Sequence, residues 1–234
     1  MTVSMSIMHA SFDPERRAML HALLRSLGDS ESYLAKSLVS YDVIADSRRA
    51  GPWPTAKRAW QSGVTSGATH HLVLQDDTIA VPGLLASLPA IVNAVPDQII
   101  SLWCNRPTVM RGAAMAGSCW IRGTSARGPA LLMPTDVVDE FLRWQSRAIR
   151  AGAPDDVRVS LYAHAHKRHI WSTVPSLVEH IGKESTLGHP RGRWTHAGML
   201  ASDASRDWTL GLPLPPLYAS PMGDDPKYLL QTPA

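Results

Sequence analysis

His71-Leu72-Val73-Leu74-Gln75-Asp76-Asp77 decides how this chain is read. Apolar residues run straight into two adjacent carboxylates. An apolar run of that kind is a strand buried on both faces, and such strands belong to sheets covered by helices on each side. In open sheets of this class, ligands bind at the carboxyl ends of the strands. Asp76 and Asp77 fall at that end. Neighbouring carboxylates repel, so they settle either as a solvated acidic turn or around a positive group. A divalent cation shared with phosphate oxygens is the usual one.

The flanking sequence supplies the rest of such a sheet. Residues 4–8 read as a first strand. Asp13 can cap the following helix, with Pro14 at its first position, Ala18, Leu20, Leu23, Leu24 and Leu27 on its apolar face, and Gly28 as its stop. Residues 38–45 read as a second strand ending at Asp46, and Gly51-Pro52 opens a helix through Gln61 that Gly63 terminates. The third strand spans 70–75, a helix 82–95, and a fourth strand 98–103. Residues 106–128 are rich in Gly, Arg and Ser and read as a loop, with a short strand at 118–121. A strand at 128–134 leads into a helix at 135–150; a second helix covers 155–166, and 171–174 is a short strand. Strand and helix alternating at this spacing predict an α/β fold with a mostly parallel central sheet flanked by helices. Periodicity fades after about residue 187, and 213–234 reads as an extended Pro-rich tail. The expected organisation is one domain over 1–190 and a C-terminal extension over 191–234.

Composition narrows the class. A chain of 234 residues with 44% hydrophobic content can bury one good-sized α/β core. No apolar run has the length of a membrane span, and the first ten residues lack the pattern of an export signal. Cys104 and Cys119 are too few for a disulfide framework and are not spaced as metal ligands, so a reducing cytoplasm is the expected compartment. Lys and Arg exceed Asp and Glu by only 23 to 20, a slight tilt toward an anionic partner.

Four features then follow in order: the strand-end pair Asp76-Asp77, a glycine-containing loop from Arg122-Gly123 to Gly128, the pair Asp155-Asp156 at a helix start, and the segment Thr173-Val174-Pro175-Ser176-Leu177-Val178-Glu179-His180-Ile181-Gly182. That ordered set, over roughly residues 4–190, resembles the GT-A glycosyltransferases, and the last segment is similar to the end of small bacterial and phage sugar transferases. Upstream, Ala56-Lys57-Arg58-Ala59 resembles the helix that precedes the family's acidic strand. The resemblance implies a Rossmann-related GT-A sheet, a nucleotide-diphosphate sugar as donor and a divalent metal, Mn or Mg. It implies Asp77 and His180 as metal ligands, with Asp76 near the ribose or bound through water. His9, Asp46 and Arg58 would contact the donor, and Asp156, or else Asp155, would take the proton from the acceptor in an inverting reaction. Gln75 departs from the pattern, because the family's motif often has Asp there; a neutral amide removes one charge from the metal site.

Each role has a plainer counterpart. Pro154-Asp155-Asp156 is also a good helix start, where acids meet the positive end of the dipole. Without Asp156 as base, a retaining reaction is the alternative. Asp46 could be a cap or a loop turn, His9 a loop residue, Lys57 part of a solvated face, and His180 a packing histidine. Trp120, Trp144 and Trp171 fit a core, although Trp120 beside the glycine loop could stack on a sugar or base.

The acceptor is left open. Arg106, Arg111, Arg122 and Arg127 are followed by Arg143, Arg147 and Arg150 on one helical face, then by Lys167-Arg168, Arg191 and Arg193. A basic stripe can hold DNA, and by family analogy phage enzymes glycosylate hydroxymethylated bases in the host cytoplasm. A saccharide or lipid-linked acceptor is the other option, and a solvated arginine-rich surface the bland one. Competing functions are a nucleotidyltransferase-like enzyme and a non-catalytic nucleotide- or DNA-binding domain. The first would carry a glycine-rich basic loop after strand one, where this chain has His9-Ala10-Ser11-Phe12-Asp13. Neither a Gly-x-Ser-x-Gly elbow nor a dinucleotide fingerprint is present, which disfavours serine hydrolases and dehydrogenases.

Overall fold

The computed structural model describes residues 1–28, 38–126, 128–149, 152–182 and 196–218. Arg127, Arg150, Arg191, Arg193 and the tail from residue 219 lie outside these described residues. In chain order the elements are β1 (Val3–His9), α1 (Pro14–Leu27), β2 (Tyr41–Ala45), α2 (Pro52–Thr65), β3 (His70–Gln75), β4 (Thr78–Ala80), α3 (Leu84–Ala94), β5 (Ile99–Ser101) and α4 (Pro107–Met115). They continue with β6 (Trp120–Gly123), β7 (Ala130–Pro134), α5 (Thr135–Ala148), α6 (Asp155–Ala165), β8 (Ile170–Thr173) and β9 (Val178–His180).

Seven strands form one mixed sheet in the order β2-β1-β3-β7-β5-β8-β6. β2, β1 and β3 are parallel neighbours, and β5 and β8 pair parallel to each other; β7 and β6 run against their neighbours. Strand alternation splits the core into two layers. On β3, Leu72 and Leu74 face a cluster with Leu23 and Leu27 of α1 and Leu85, Leu88 and Ile91 of α3. Val73 faces the other cluster, with Ala56, Ala59 and Trp60 of α2, Phe141 of α5 and Tyr162 of α6. Helices therefore cover both faces, as the double-sided apolar run at β3 requires.

The caps of α1 match the sequence reading: Asp13 accepts from Glu15 N at 2.9 Å, and Gly28 follows the last turn. Gly63 does not end α2, which continues to Thr65. Its role is close packing. A Cβ at Gly63 would lie 2.6 Å from His71 Cδ2 and 2.7 Å from His71 Cβ. The His71 ring occupies that gap and is fully used: Nε2 donates to Ala59 O at 2.9 Å, and Nδ1 accepts from Ser4 Oγ at 2.8 Å. Burial pulls its pKa down to about 4, so it stays neutral. The glycine-rich stretch after residue 106 also differs from expectation. Pro107 starts a helix there, α4, which buries Met110 and Ala113.

Residues 196–218 pack against the β6 end of the sheet. Trp208 is buried and its ring lies 5.5 Å from that of Trp120, whose Nε1 donates to Trp208 O at 2.8 Å. Trp120 has no exposed surface and also meets Trp171 edge-on, so it is a core residue and is not available to stack on a sugar or base. Both cysteines are free and buried.

Candidate functional site

The parallel strands β1, β2 and β3 end together. His9 is in register with Ala45, and Met8 with Gln75. His9, Asp46 and the Asp76-Asp77 pair therefore stand on the same edge of the sheet, in adjacent positions along it. The chain turns sharply after Gln75, held by the Thr78 hydroxyl donating to Gln75 O at 2.7 Å and by Asp76 N donating to Met8 O at 3.0 Å. It then enters a second, two-stranded sheet, in which β4 pairs antiparallel with β9 and Thr78 faces His180. Ile181 N donates to Asp77 O at 2.8 Å, extending that ladder. This small sheet brings His180 from a hundred residues away to the acidic pair.

Both carboxylates are buried, Asp76 and Asp77 each being 2% exposed. Asp76 Oδ2 accepts from His9 Nδ1 at 2.7 Å and from Ala10 N at 2.9 Å. Asp76 Oδ1 lies 2.6 Å from Arg16 Nη1, and the same nitrogen lies 2.5 Å from Asp77 Oδ2. His180 Nε2 stands 3.0 Å from Asp77 Oδ2. Burial raises the Asp76 pKa above the ordinary carboxylate range, and Arg16 and His9 offset it only in part. At Asp77 burial pushes in the same direction, but the His180 and Arg16 contacts outweigh it and hold the group below its usual value. Asp77 Oδ1 is buried and has no hydrogen-bond partner.

Two close approaches shape the surroundings. A Cβ at Gly182 would press against Asp77 Oδ2 and lie 3.2 Å from both Asp77 Cγ and His180 Nε2, so the Gly182 backbone sits directly on the pair. A Cβ at Gly128 would lie 3.1 Å from Gln75 Nε2 and 3.5 Å from Asp156 Oδ2. Gly128 thereby lets the start of α6 reach the tip of β3. The Trp103 ring meets His180 edge-on, with centroids 6.3 Å apart.

Asp155 and Asp156 sit in different environments. Asp155 is buried and its Oδ2 has no hydrogen-bond partner. Burial, then the neighbouring Asp156 charge, pushes its pKa up to about 7. Asp156 is half-buried, accepts from Val157 N at 2.8 Å, and is the member that faces Gly128. Of the remaining sequence candidates, Asp46 accepts from Arg48 N and Ala50 N, both at 3.1 Å, as an Asx turn does. Arg58 donates to Ala45 O at 2.6 Å and ties α2 to the end of β2. Both stand two strands from the acidic pair, with His9 between.

Arg16, Trp103 and Gly182 were not singled out by the sequence. Arg16 had a readable signal: a helix starting at Pro14, just beyond the end of β1, places its first-turn side chains at the strand ends where Asp76 emerges. Gly182 closes the segment quoted with His180, but its close packing on Asp77 and the place of Trp103 beside His180 come only from β9.

Among the described residues, no group of three or more His, Cys, Asp or Glu side chains is arranged to hold a metal ion. The donor set that does fit is smaller. Asp77 offers a buried oxygen with no partner and His180 an adjacent imidazole. Small divalent ions bind in this way through one or two protein groups, completed by substrate phosphates and water. No helix among the described residues is long and apolar enough to cross a membrane.

No family model matches the chain, and no curated protein matches it in sequence. Among solved structures it is similar to A197 from STIV, with a TM-score of 0.44 at 13% identity, covering 76% of this chain and 84% of that one. It is also similar to TarS of S. aureus, with a TM-score of 0.43 at 11% identity over 74% of this chain and 58% of that one. A third similar structure is a glycosyltransferase involved in the glycosylation of the major capsid of PBCV-1, with a TM-score of 0.35 at 9% identity over 62% of this chain and 66% of that one. The chain thus spans less than two thirds of the second and third structures.

Proposed function

We propose that this chain is a GT-A-type glycosyltransferase that moves a sugar from a nucleoside-diphosphate sugar to an acceptor hydroxyl. The observation that carries the reading is the 3.0 Å approach of His180 to Asp77 at the tip of β3, beside Asp76 and Arg16. Breaking the bond between sugar and diphosphate builds negative charge on the departing oxygen, and a site that gathers cationic groups there lowers the barrier. A divalent ion held by Asp77 and His180 would supply part of that positive charge.

The chain's own residues do the rest. Asp76, fixed by His9, Ala10 N and Arg16, keeps the strand tip rigid on the side assigned to the ribose. His9 and Asp46, at the ends of β1 and β2, are assigned to the nucleoside side, with Arg58 anchoring that edge. Asp156 takes the acceptor proton. Burial favours the protonated form of Asp155, so Asp156, less buried and facing Gly128, is the member assigned as the base. A base on the face away from the leaving group corresponds to an inverting outcome.

The acceptor is proposed only as a hydroxyl compound. Arg143, in the stripe that suggested DNA, pairs with Asp139 at 2.8 Å on an exposed helix face. Hydroxymethylated DNA is therefore one arm of an acceptor panel, beside saccharides and lipid-linked sugars.

The test is a thermal-shift panel of nucleoside-diphosphate sugars with and without Mn2+, run on the wild type and on Asp77→Asn, followed by donor hydrolysis. One donor should raise the wild-type Tm. Asp77→Asn should keep its fold but lose about 10²–10³ in turnover, as loss of a charge-stabilising group does. Unchanged turnover in Asp77→Asn would remove the assignment; a Tm that responds to no donor would remove the transferase.

A further inference from the structure

We infer that Arg16 is a tethered counter-ion of the acidic strand tip and competes with a divalent cation for it. The inference deepens the proposed site and rests on that reading of Asp77 and His180. The Arg16 guanidinium bridges the two carboxylates through one nitrogen, 2.6 Å from Asp76 Oδ1 and 2.5 Å from Asp77 Oδ2. The Asp76 and Asp77 side chains are 3% and 4% exposed, so their charges are poorly screened by water. Without a cation between them, two buried negative charges would stand side by side, an arrangement that strongly disfavours the folded state.

Arg16 is built to leave. It belongs to the first turn of α1, whose start is fixed independently by the Asp13 cap. Its side chain is long, 12% exposed, and has a route to solvent. Each acidic residue also keeps an anchor that does not involve it. Asp76 Oδ2 holds His9 and Ala10 N, and Asp77 is pinned by its own carbonyl, which accepts from Ile181 N at 2.8 Å. The pair therefore stays oriented when the guanidinium swings away. Asp77 Oδ1, buried and without a partner, is then a ready ligand atom. Because both cations neutralise the same charges, each weakens the other's binding. An intramolecular competitor weakens apparent Mn2+ binding by the fraction of time it leaves the site open, so a guanidinium that occupies it about four-fifths of the time costs about fivefold.

Mn2+ titration of the donor-free full chain, by calorimetry and by thermal shift, tests this on wild type, Arg16→Gln, Arg16→Lys and Asp77→Asn. Arg16→Gln should have a lower Tm than wild type without metal and a larger Mn2+-induced rise. Its Kd for Mn2+ should be tighter by about fivefold or more, corresponding to a wild-type site held by Arg16 at least about four-fifths of the time. Arg16→Lys, which keeps a charge but cannot match the guanidinium's planar fork, should fall between, and Asp77→Asn should lose the binding. Equal or weaker Mn2+ affinity in Arg16→Gln overturns the inference, as does an absence of Mn2+ binding in every variant. Should Arg16→Gln fail to fold, Arg16→Lys decides alone: tighter binding than wild type supports competition, and unchanged or weaker binding overturns it. Donor-induced shifts in the same proteins read separately on the transferase. Intact donor turnover without metal competition sinks only the role of Arg16; metal competition without any donor response sinks only the transferase.

Discussion

Asp155→Asn should flatten the pH dependence of stability. Asp155 sits in the first turn of α6, is 4% exposed, and carries one buried oxygen without a partner. Burial, and then the charge of Asp156, lifts its pKa from 3.8 to about 7. The folded chain therefore binds a proton at Asp155 more tightly than the unfolded chain does. The stability this confers is fully present below about pH 4 and is lost as the pH rises through 7. Roughly three pH units at about 1.4 kcal/mol each correspond to about 4 kcal/mol. Asparagine cannot ionise, so this loss disappears in the variant. For a chain of this size each kcal/mol moves Tm by about 2–4 °C, so the Tm of Asp155→Asn relative to wild type should rise by roughly 8–16 °C between pH 4 and pH 8. Thermal unfolding of both proteins across that range measures it. Parallel profiles would show that the Asp155 pKa is not raised, and would also remove the reason for choosing Asp156 over Asp155 as the base.

Two glycines offer contrasting tests. Gly63→Ala gains helix propensity but drives a methyl into the His71 ring, 2.6 Å from Cδ2, and should destabilise by about 1–3 kcal/mol in urea unfolding; an unchanged or higher midpoint would mean that His71 gives way freely. Gly182→Ala drives a methyl against Asp77 Oδ2, 3.2 Å from Asp77 Cγ and His180 Nε2, and should displace the carboxylate from the imidazole. Donor turnover is expected to fall by about tenfold or more, since small misplacements of reacting groups are costly, with a drop in Tm because the displaced carboxylate is buried and paired; full turnover would show that the Asp77–His180 contact is dispensable.

Where neighbours along the chain suffice, the sequence was legible. β3 spans His70–Gln75 as its apolar run requires, and α1 begins after Asp13 and stops at Gly28 because caps act within one turn. At Gly63 a glycine that stops a helix and one that admits a ring look alike in sequence, and only the position of His71 distinguishes them. The helix at Pro107–Met115 was hidden by its Gly, Arg and Ser neighbours and is fixed by burial of Met110 and Ala113. At the candidate site, Asp76 and Asp77 could be placed from β3 alone. Arg16 could be placed near the end of β1 from the helix start at Pro14, but its pairing with Asp76 and Asp77 needs β1 and β3 to be neighbours, which only the sheet decides.

The residues alone determined an α/β chain with two carboxylates at a strand end and a two-carboxylate helix start, because burial periodicity and capping are local effects. Only the folded chain decided which groups meet those carboxylates. The ladder between β4 and β9 joins segments a hundred residues apart and sets His180 on Asp77. Burial then separates Asp155 from Asp156 despite their adjacency, pushing the Asp155 pKa up while Asp156 stays half-buried. Both are consequences of water exclusion and long-range pairing, which no window of sequence contains.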